Sequence, residues 1–338
     1  KILLFAISLA FFTSCTQSPK KQVAFASDNP AERVVWEKMR LADPNTGEIP
    51  NNIRQKEMIF AKTLPKSTSF NKASWVHRGP YNVGGRTRAL ALDVLDENIM
   101  FAGGASGGMF RSTDGGQSWV MTTDPNQLHN VTCVSQDKRA GKENIWYFGS
   151  GELTGSSASG GESYYGGNGI YKSVDGGLSW DSLAVTATNT NGFDSNFDFI
   201  WNIKTDPSND SLDVVYAATY GTIYRSENGG DSWVKELGGG STYYNNVEVA
   251  SNGVVYATLS SDGLDKGIWR SEDGQNWTNI TDSLFPPIYG RIAIGINPSN
   301  EEEVYFLAAE TDNHGQHTDV FFNGETWTSL WKYDSSDS

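Results

Sequence analysis

Two acids and two aromatic rings share one short glycine-rich stretch, "GELTGSSASGGESYYGGNG" at 151–169. Glu152 and Glu162 form a carboxylate pair, and Tyr164 and Tyr165 offer flat ring faces beside it. A glycosidic bond is cleaved by two carboxyl groups at a fixed separation, so the stretch is a candidate glycan site, with the rings as stacking platforms. A solvated loop has the same composition, although loops carry function more often than cores do. Tyr243 and Tyr244 in "GGGSTYYNN" supply two more rings. A second stretch, "DNHGQHTD", sets His314 and His317 three apart between Asp312 and Asp319. Imidazoles with carboxylates are zinc ligands, but two histidines do not make a site. Calcium, which prefers oxygen ligands, is the cation the acidic loops favour, and no other cofactor is expected. Asp312 also joins Glu152 and Glu162 as a candidate catalytic acid. Arg86 and Arg291 each follow a glycine at the start of an apolar run, "GRTRALALD" and "GRIAIGINP". A guanidinium there presents a planar fork that grips a carboxylate in two places, or it bonds neighbouring carbonyls. No nucleophile elbow with a paired histidine is present, and no phosphate loop leads into a helix.

A third pattern has reactive residue types but is repeated. Ser112, Asp114, Gly116 and Trp119 lie in "STDGGQSW"; Ser173, Asp175, Gly177 and Trp180 lie in "SVDGGLSW". Ser226, Gly230 and Trp233 lie in "SENGGDSW", and Ser271, Asp273 and Trp277 in the shortened "SEDGQNW". A device present four times is architectural rather than catalytic. The hydroxyl and carboxylate bond the amides of a turn, the glycines supply positive φ, and the indole brings apolar area to a wedge between layers.

These residues must be positioned by short strands. From residue 74 onward, alternating apolar runs are separated by turn signals and fall into units of four strands, A to D. The units begin at "GRTRALALD", "NVTCVSQD", "IWNIKTD", "YNNVEVAS" and "GRIAIGINP". A period of about 45–60 residues with four strands is the signature of a propeller blade. The fold class expected is therefore all-β, a β-propeller of about five blade units over 74–338, truncated at its C-terminal end. Trp75 reads as a lone strand D. With strand A innermost, the C–D turns share a face with the A–B turns. The B–C and D–A loops, including 151–169, 186–199, 238–246, 260–267 and 310–327, surround the opposite mouth, where ligand sites prefer to form.

Upstream, residues 28–73 are expected to form two short helices packed outside the propeller. The first starts at Pro30, which a first helical turn tolerates; the second is expected over 51–61. Residues 16–27 suit a flexible tether. Residues 1–15, "KILLFAISLAFFTSC", read as a lipoprotein signal ending at Cys15, the expected lipidation site. Cys133 then has no partner and sits in a strand pattern as a small core residue. The net charge of −14 argues against nucleic acid, because phosphate binding needs a basic face.

The S-x-D-x-G-x-x-W octads, each after an aromatic-basic pair, resemble the Asp-box or BNR repeat of sialidases, xyloglucanases, sortilin-type receptors and many bacterial surface proteins. The resemblance implies a propeller with the Asp-box turns away from the active face. The segments "WEKMRLADPNTGEIPNNIRQKEMIFAKTLP" and "WVHRGPYNVGGRTRALALD" resemble the start of large secreted or surface proteins of Bacteroidetes-type bacteria, often labelled glycosyl-hydrolase-like. Sialidases clamp a carboxylate with three arginines; units two to four here start without one, so sialidase activity is not expected. The reading favoured is an outer-membrane lipoprotein of a bacterial cell envelope, touching the membrane only through its lipid. Its propeller would be a non-catalytic binding module for a glycan or an envelope protein. The competing readings are a glycoside hydrolase and a subunit of an outer-membrane or secretion-associated assembly.

Overall fold

The computed structural model describes residues 30–50, 53–64, 85–124, 126–127, 130–156, 162–190, 192–310, 316–319 and 324–337. Cys15, the tether, Trp75, Asp312 and His314 lie outside the described residues. The chain divides into two compact units, 1–57 and 58–338. That division falls within the second helix. Helix α1 spans Pro30–Leu41 and α2 spans Ile53–Thr63. Among the described residues no helix is long and apolar enough to cross a membrane.

The larger unit is a β-propeller. Blade 1 is β1 (Thr87–Leu92), β2 (Met100–Gly104), β3 (Gly108–Ser112) and β4 (Val120–Met121). Blade 2 contains β5 (Cys133–Gln136) and β6 (Trp146–Gly149), then a separate hairpin of β7 (Glu152–Ser156) and β8 (Glu162–Tyr165). It closes with β9 (Ile170–Ser173) and β10 (Asp181–Ser182). Blade 3 is β11 (Ile200–Thr205), β12 (Val215–Thr219), β13 (Thr222–Ser226) and β14 (Val234–Gly238). Blade 4 is β15 (Asn245–Val249), β16 (Val255–Leu259), β17 (Gly267–Ser271) and β18 (Trp277–Asn279). Blade 5 is β19 (Tyr289–Ile296), β20 (Glu303–Glu310), β21 (Gln316–Asp319) and β22 (Gly324–Asp334), in the order β19-β20-β22-β21. Its fourth strand therefore precedes strand C in sequence, and residues expected as loop at 316–319 pair with the start of β22.

The first strands pack in succession: β1 beside β5, β5 beside β11, β11 beside β15 and β15 beside β19. Apolar clusters fill each gap. Phe101 and Met109 of blade 1 meet Trp146, Phe148 and Trp180 of blade 2. Cys133 and Ile170 meet Ile203 and Val215 of blade 3. Tyr216 and Ile223 meet Val247 and Leu259 of blade 4, and Tyr256 meets Val304 and Phe306 of blade 5. Strands β12 and β16 are buried at every residue because both faces are covered, which is why they read as continuous apolar runs. The outer β4 and β10 are two residues long and exposed, short edges that give little to pair with. Burial pushes the Cys133 thiol up to about 11, so it is inert core.

Hydrogen bonds between loops mark the two faces. Gly115 N–H donates to Asn98 O at 3.0 Å and Gly176 N–H to Asn144 O at 2.9 Å, joining C–D turns to A–B turns. On the other face Tyr243 N–H, in a D–A loop, donates to Asp262 Oδ2, in a B–C loop, at 2.9 Å.

Candidate functional site

The four Ser-to-Trp turns spend their polar groups on themselves. Ser112 Oγ donates to Asp114 Oδ1 at 2.7 Å and accepts from Gly116 N–H at 2.9 Å. Asp114 also accepts from Ser118 N–H at 2.9 Å and Ser118 Oγ at 2.6 Å. Ser173, Asp175, Gly177 and Ser179 repeat the arrangement. Asn228 takes the acid's place in the third turn, and Asp273 bonds Ser271 and Asn276 in the fourth. Bonds from Ser118 hold the Asp114 carboxyl down at about 2. The tryptophans are not equivalent: Trp180 is 3% exposed in the blade 1–blade 2 gap, whereas Trp119 is 38% exposed. The expectation that every one fills a wedge therefore fails at Trp119.

At the opposite face the first strands bring distant side chains together. Strand β1 and the residue before it supply Arg88 and Arg86, β11 supplies Trp201, and β19 supplies Arg291. Glu152 opens β7 directly after Gly151, whose φ is +87°; a Cβ there would collide with the carbonyl of Asp198, so only glycine lets the chain pass. The Glu152 carboxylate is sealed from solvent, in contact with Arg86 Nη2 through Oε2 and 3.1 Å from Arg88 Nε through Oε1. A carboxylate so held is placed to position guanidiniums. Glu162 lies at the far end of the hairpin: it pairs with Ser156, and Glu152 with Tyr165. Four residues of strand put the two backbones about 13 Å apart.

The guanidiniums of Arg88 and Arg291 both lie over the Trp201 ring, at 6.0 and 5.6 Å from its centroid. Arg291 is exposed at the surface of β19, with neighbouring protein on one side of it. Burial, and then the neighbouring Arg88, pull it below the usual arginine range. Trp201 is 5% exposed and touches Tyr244 at 5.1 Å. The rings continue outward: Tyr244 to Tyr243 at 6.5 Å, Tyr243 to Tyr220 at 5.7 Å, and Tyr220 to Phe193 at 5.0 Å. Tyr243 and Phe193 are 45% and 53% exposed. This is a continuous aromatic row from the first strands to the rim.

Two exposed carboxylates adjoin the row. Asp262 is fixed by Tyr243 N–H and by Ser260 Oγ. Asp194 follows Phe193, and the Thr190 hydroxyl holds it below the ordinary carboxylate range. Tyr165 is exposed at the hairpin end, where Asn130 Nδ2 bonds its carbonyl at 3.3 Å and Gly166 O at 2.8 Å. The side chains of Glu162, Tyr164, His317 and Asp319 lie outside the described residues; the backbones of His317 and Asp319 are in β21. No group of three or more His, Cys, Asp or Glu that would hold a metal occurs among the described residues.

Sequence reasoning placed Arg86, Arg291, Tyr243 and Tyr244 on this face but missed Arg88, Trp201, Tyr220 and Phe193. Arg88 had a signal, since two residues from Arg86 in a strand is the same side. Trp201 read as another core indole.

No family model matches the chain. A xyloglucanase from a Paenibacillus species is 25% identical over 90% of this chain and 33% of its own length. The xyloglucanase Xgh74A of Acetivibrio thermocellus is 24% identical over 72% of the chain and 32% of its own length. The chain thus spans about a third of the curated relatives it matches. Among solved structures an ancestral GH74 enzyme superposes with a TM-score of 0.53 at 22% identity, covering 75% of this chain and 30% of that one. The likeness to the ancestral GH74 enzyme supports the propeller fold.

Proposed function

We propose that this chain is the sugar-binding propeller of a glycoside hydrolase resembling the xyloglucanases. The observation that carries the reading is the aromatic row Phe193–Tyr220–Tyr243–Tyr244–Trp201 on the mouth face. The exposed rings of Tyr243 and Phe193 suit stacking on sugar faces, with half-buried Tyr220 and Tyr244 and buried Trp201 packed behind them, and their area supplies affinity without charge. Bond cleavage draws on the exposed Asp194 and Asp262 beside the row, not on the sealed Glu152. An ionised Asp194 suits a base or charge-stabilising role, because glycosidic cleavage builds positive charge on the sugar ring.

The test is incubation of the full chain with xyloglucan, following reducing-end release and, separately, oligosaccharide binding. Release is expected, with Asp262→Asn and Asp194→Asn each losing it. Tyr243→Ala is expected to weaken binding by about 0.5–1.5 kcal/mol, roughly two- to tenfold. Release that survives both acid substitutions would place the chemistry elsewhere. Binding without release would favour the non-catalytic module, a reading that the locked Glu152 supports. Absence of both would remove the glycan assignment.

A further inference from the structure

Among the described residues the inner mouth holds more positive charge than it balances. Three guanidiniums, Arg86, Arg88 and Arg291, converge with one carboxylate, Glu152, in a protein whose net charge is −14. Glu152 is committed to Arg86 and Arg88. Among the described residues no carboxylate pairs with Arg291, whose contact is the face of Trp201. Arg88 is no better satisfied: its Nε is buried 3.1 Å from Glu152 Oε1, yet neither atom has an aligned hydrogen bond. Two like charges over one ring repel, and Glu152, shared between Arg86 and Arg88, offsets only part of that charge. The depressed ionisation of Arg291 beside Arg88 expresses the same conflict.

We infer that the cluster is the binding site for the carboxylate of an acidic sugar, so that the glycan taken by this mouth carries uronic acid units. Three features of the cluster support that ligand. Guanidiniums bind a carboxylate through two parallel hydrogen bonds, and among the described residues that of Arg291 has no carboxylate partner. Trp201, over which both lie, is also the buried inner end of the aromatic row, so an anion held here would lie beside the exposed rings further out along it. Finally, an acidic surface repels acidic polymers at large, so a local cationic cluster selects where and how such a polymer docks. The inference rests on the proposed glycan-binding role of this face and adds the charge of the ligand to it.

The experiment compares two probes on the full chain by calorimetry: trigalacturonate, and a neutral xyloglucan heptasaccharide. The acidic probe should bind more weakly as ionic strength rises, because its contact is ionic. Arg291→Gln should lower the ratio of acidic to neutral affinity about tenfold or more, the scale of hydrogen bonds to a charged group. Arg291→Lys, which keeps the charge and loses the fork, should fall between. Unfolding curves establish that the variants are folded; if Arg291→Gln is not, the salt dependence of the unmodified protein decides. A ratio unchanged in both variants, or acidic affinity indifferent to salt, overturns the inference. So does an acidic peptide of equal charge that binds as tightly as trigalacturonate. Neutral binding without acidic binding overturns the charge assignment and leaves the glycan reading standing. If neither probe binds, the glycan reading falls and this inference with it.

Discussion

Asp175 and Asn228 occupy the same place in successive turns, and the comparison separates what charge does from what hydrogen bonding does. Asp175 accepts from Ser173 Oγ, Ser179 N–H and Ser179 Oγ. Asn228 accepts from Ser226 Oγ and Ser232 N–H and donates to Ser232 Oγ at 2.9 Å. The amide thus reproduces the whole turn without a charge. Burial opposes ionisation of Asp175, but the bonds from Ser179 and Ser173 outweigh it and lower its carboxyl from 3.8 to about 2. A carboxyl depressed on folding stabilises the native state above its unfolded value, and that stability is lost as pH falls through the folded one. Asp175→Asn should therefore melt near the unmodified protein at neutral pH, whereas Asp175→Ala melts lower. Between about pH 4 and pH 2 the unmodified protein should lose ground to Asp175→Asn. Thermal melts across that range check it; parallel curves would mean that the carboxylate carries no such load.

At the scale of elements, two turns of near-identical sequence pack differently. Gly116 has φ +84°, and a Cβ there would lie 3.4 Å from Trp119 and 3.5 Å from Met100, ordinary contacts. Gly177 has φ +76°, and a Cβ there would collide with the ring of Phe101 in the neighbouring blade. Gly116→Ala then bears only the backbone strain of a left-handed position, about 1–3 kcal/mol. Gly177→Ala bears that strain plus an overpacked core, about 1–3 kcal/mol more. Denaturant titrations of the two variants should differ by that amount, and equal losses would contradict the packing of blade 2 on blade 1. The same asymmetry separates Trp180, whose Nε1 reaches Thr122 Oγ1 of blade 1 at 3.0 Å, from Trp119, whose Nε1 stays within its own turn on Gly116 O.

For the whole molecule, blades are joined by apolar gaps and by a few polar staples. Arg139, in the A–B loop of blade 2, donates to Asn209 O and Leu212 O of blade 3 at 2.7 and 2.8 Å and pairs with Asp213 at 2.7 Å. It also bonds the buried Asp137 at 2.9 Å, which raises the arginine above its usual range. Removing one partner of such a pair leaves a buried charge behind, so Arg139→Ala should cost about 3–5 kcal/mol. Arg139→Met with Asp137→Asn, which removes both charges, should cost less. A double variant as unstable as the single one would show that the staple works through packing alone.

The blade architecture was legible because its signals are local. The Ser-to-Trp turns close their hydrogen bonds within four residues, and strand alternation and positive-φ glycines report backbone state position by position. Such signals fix the units and the face on which their turns lie. They did not foresee the hairpin β7–β8 or the strand order of blade 5, where pairing partners are chosen by register across insertions. The mouth was decided by the tertiary structure alone. Glu152 reads as a free loop acid until Arg86, 66 residues earlier, is laid against it. Arg88, Trp201 and Arg291 come from three different blades and meet only because packing between blades draws their first strands toward one place. Spacing along a chain carries no record of which side chains converge across a fold, and that convergence gives this face its charge and its rings.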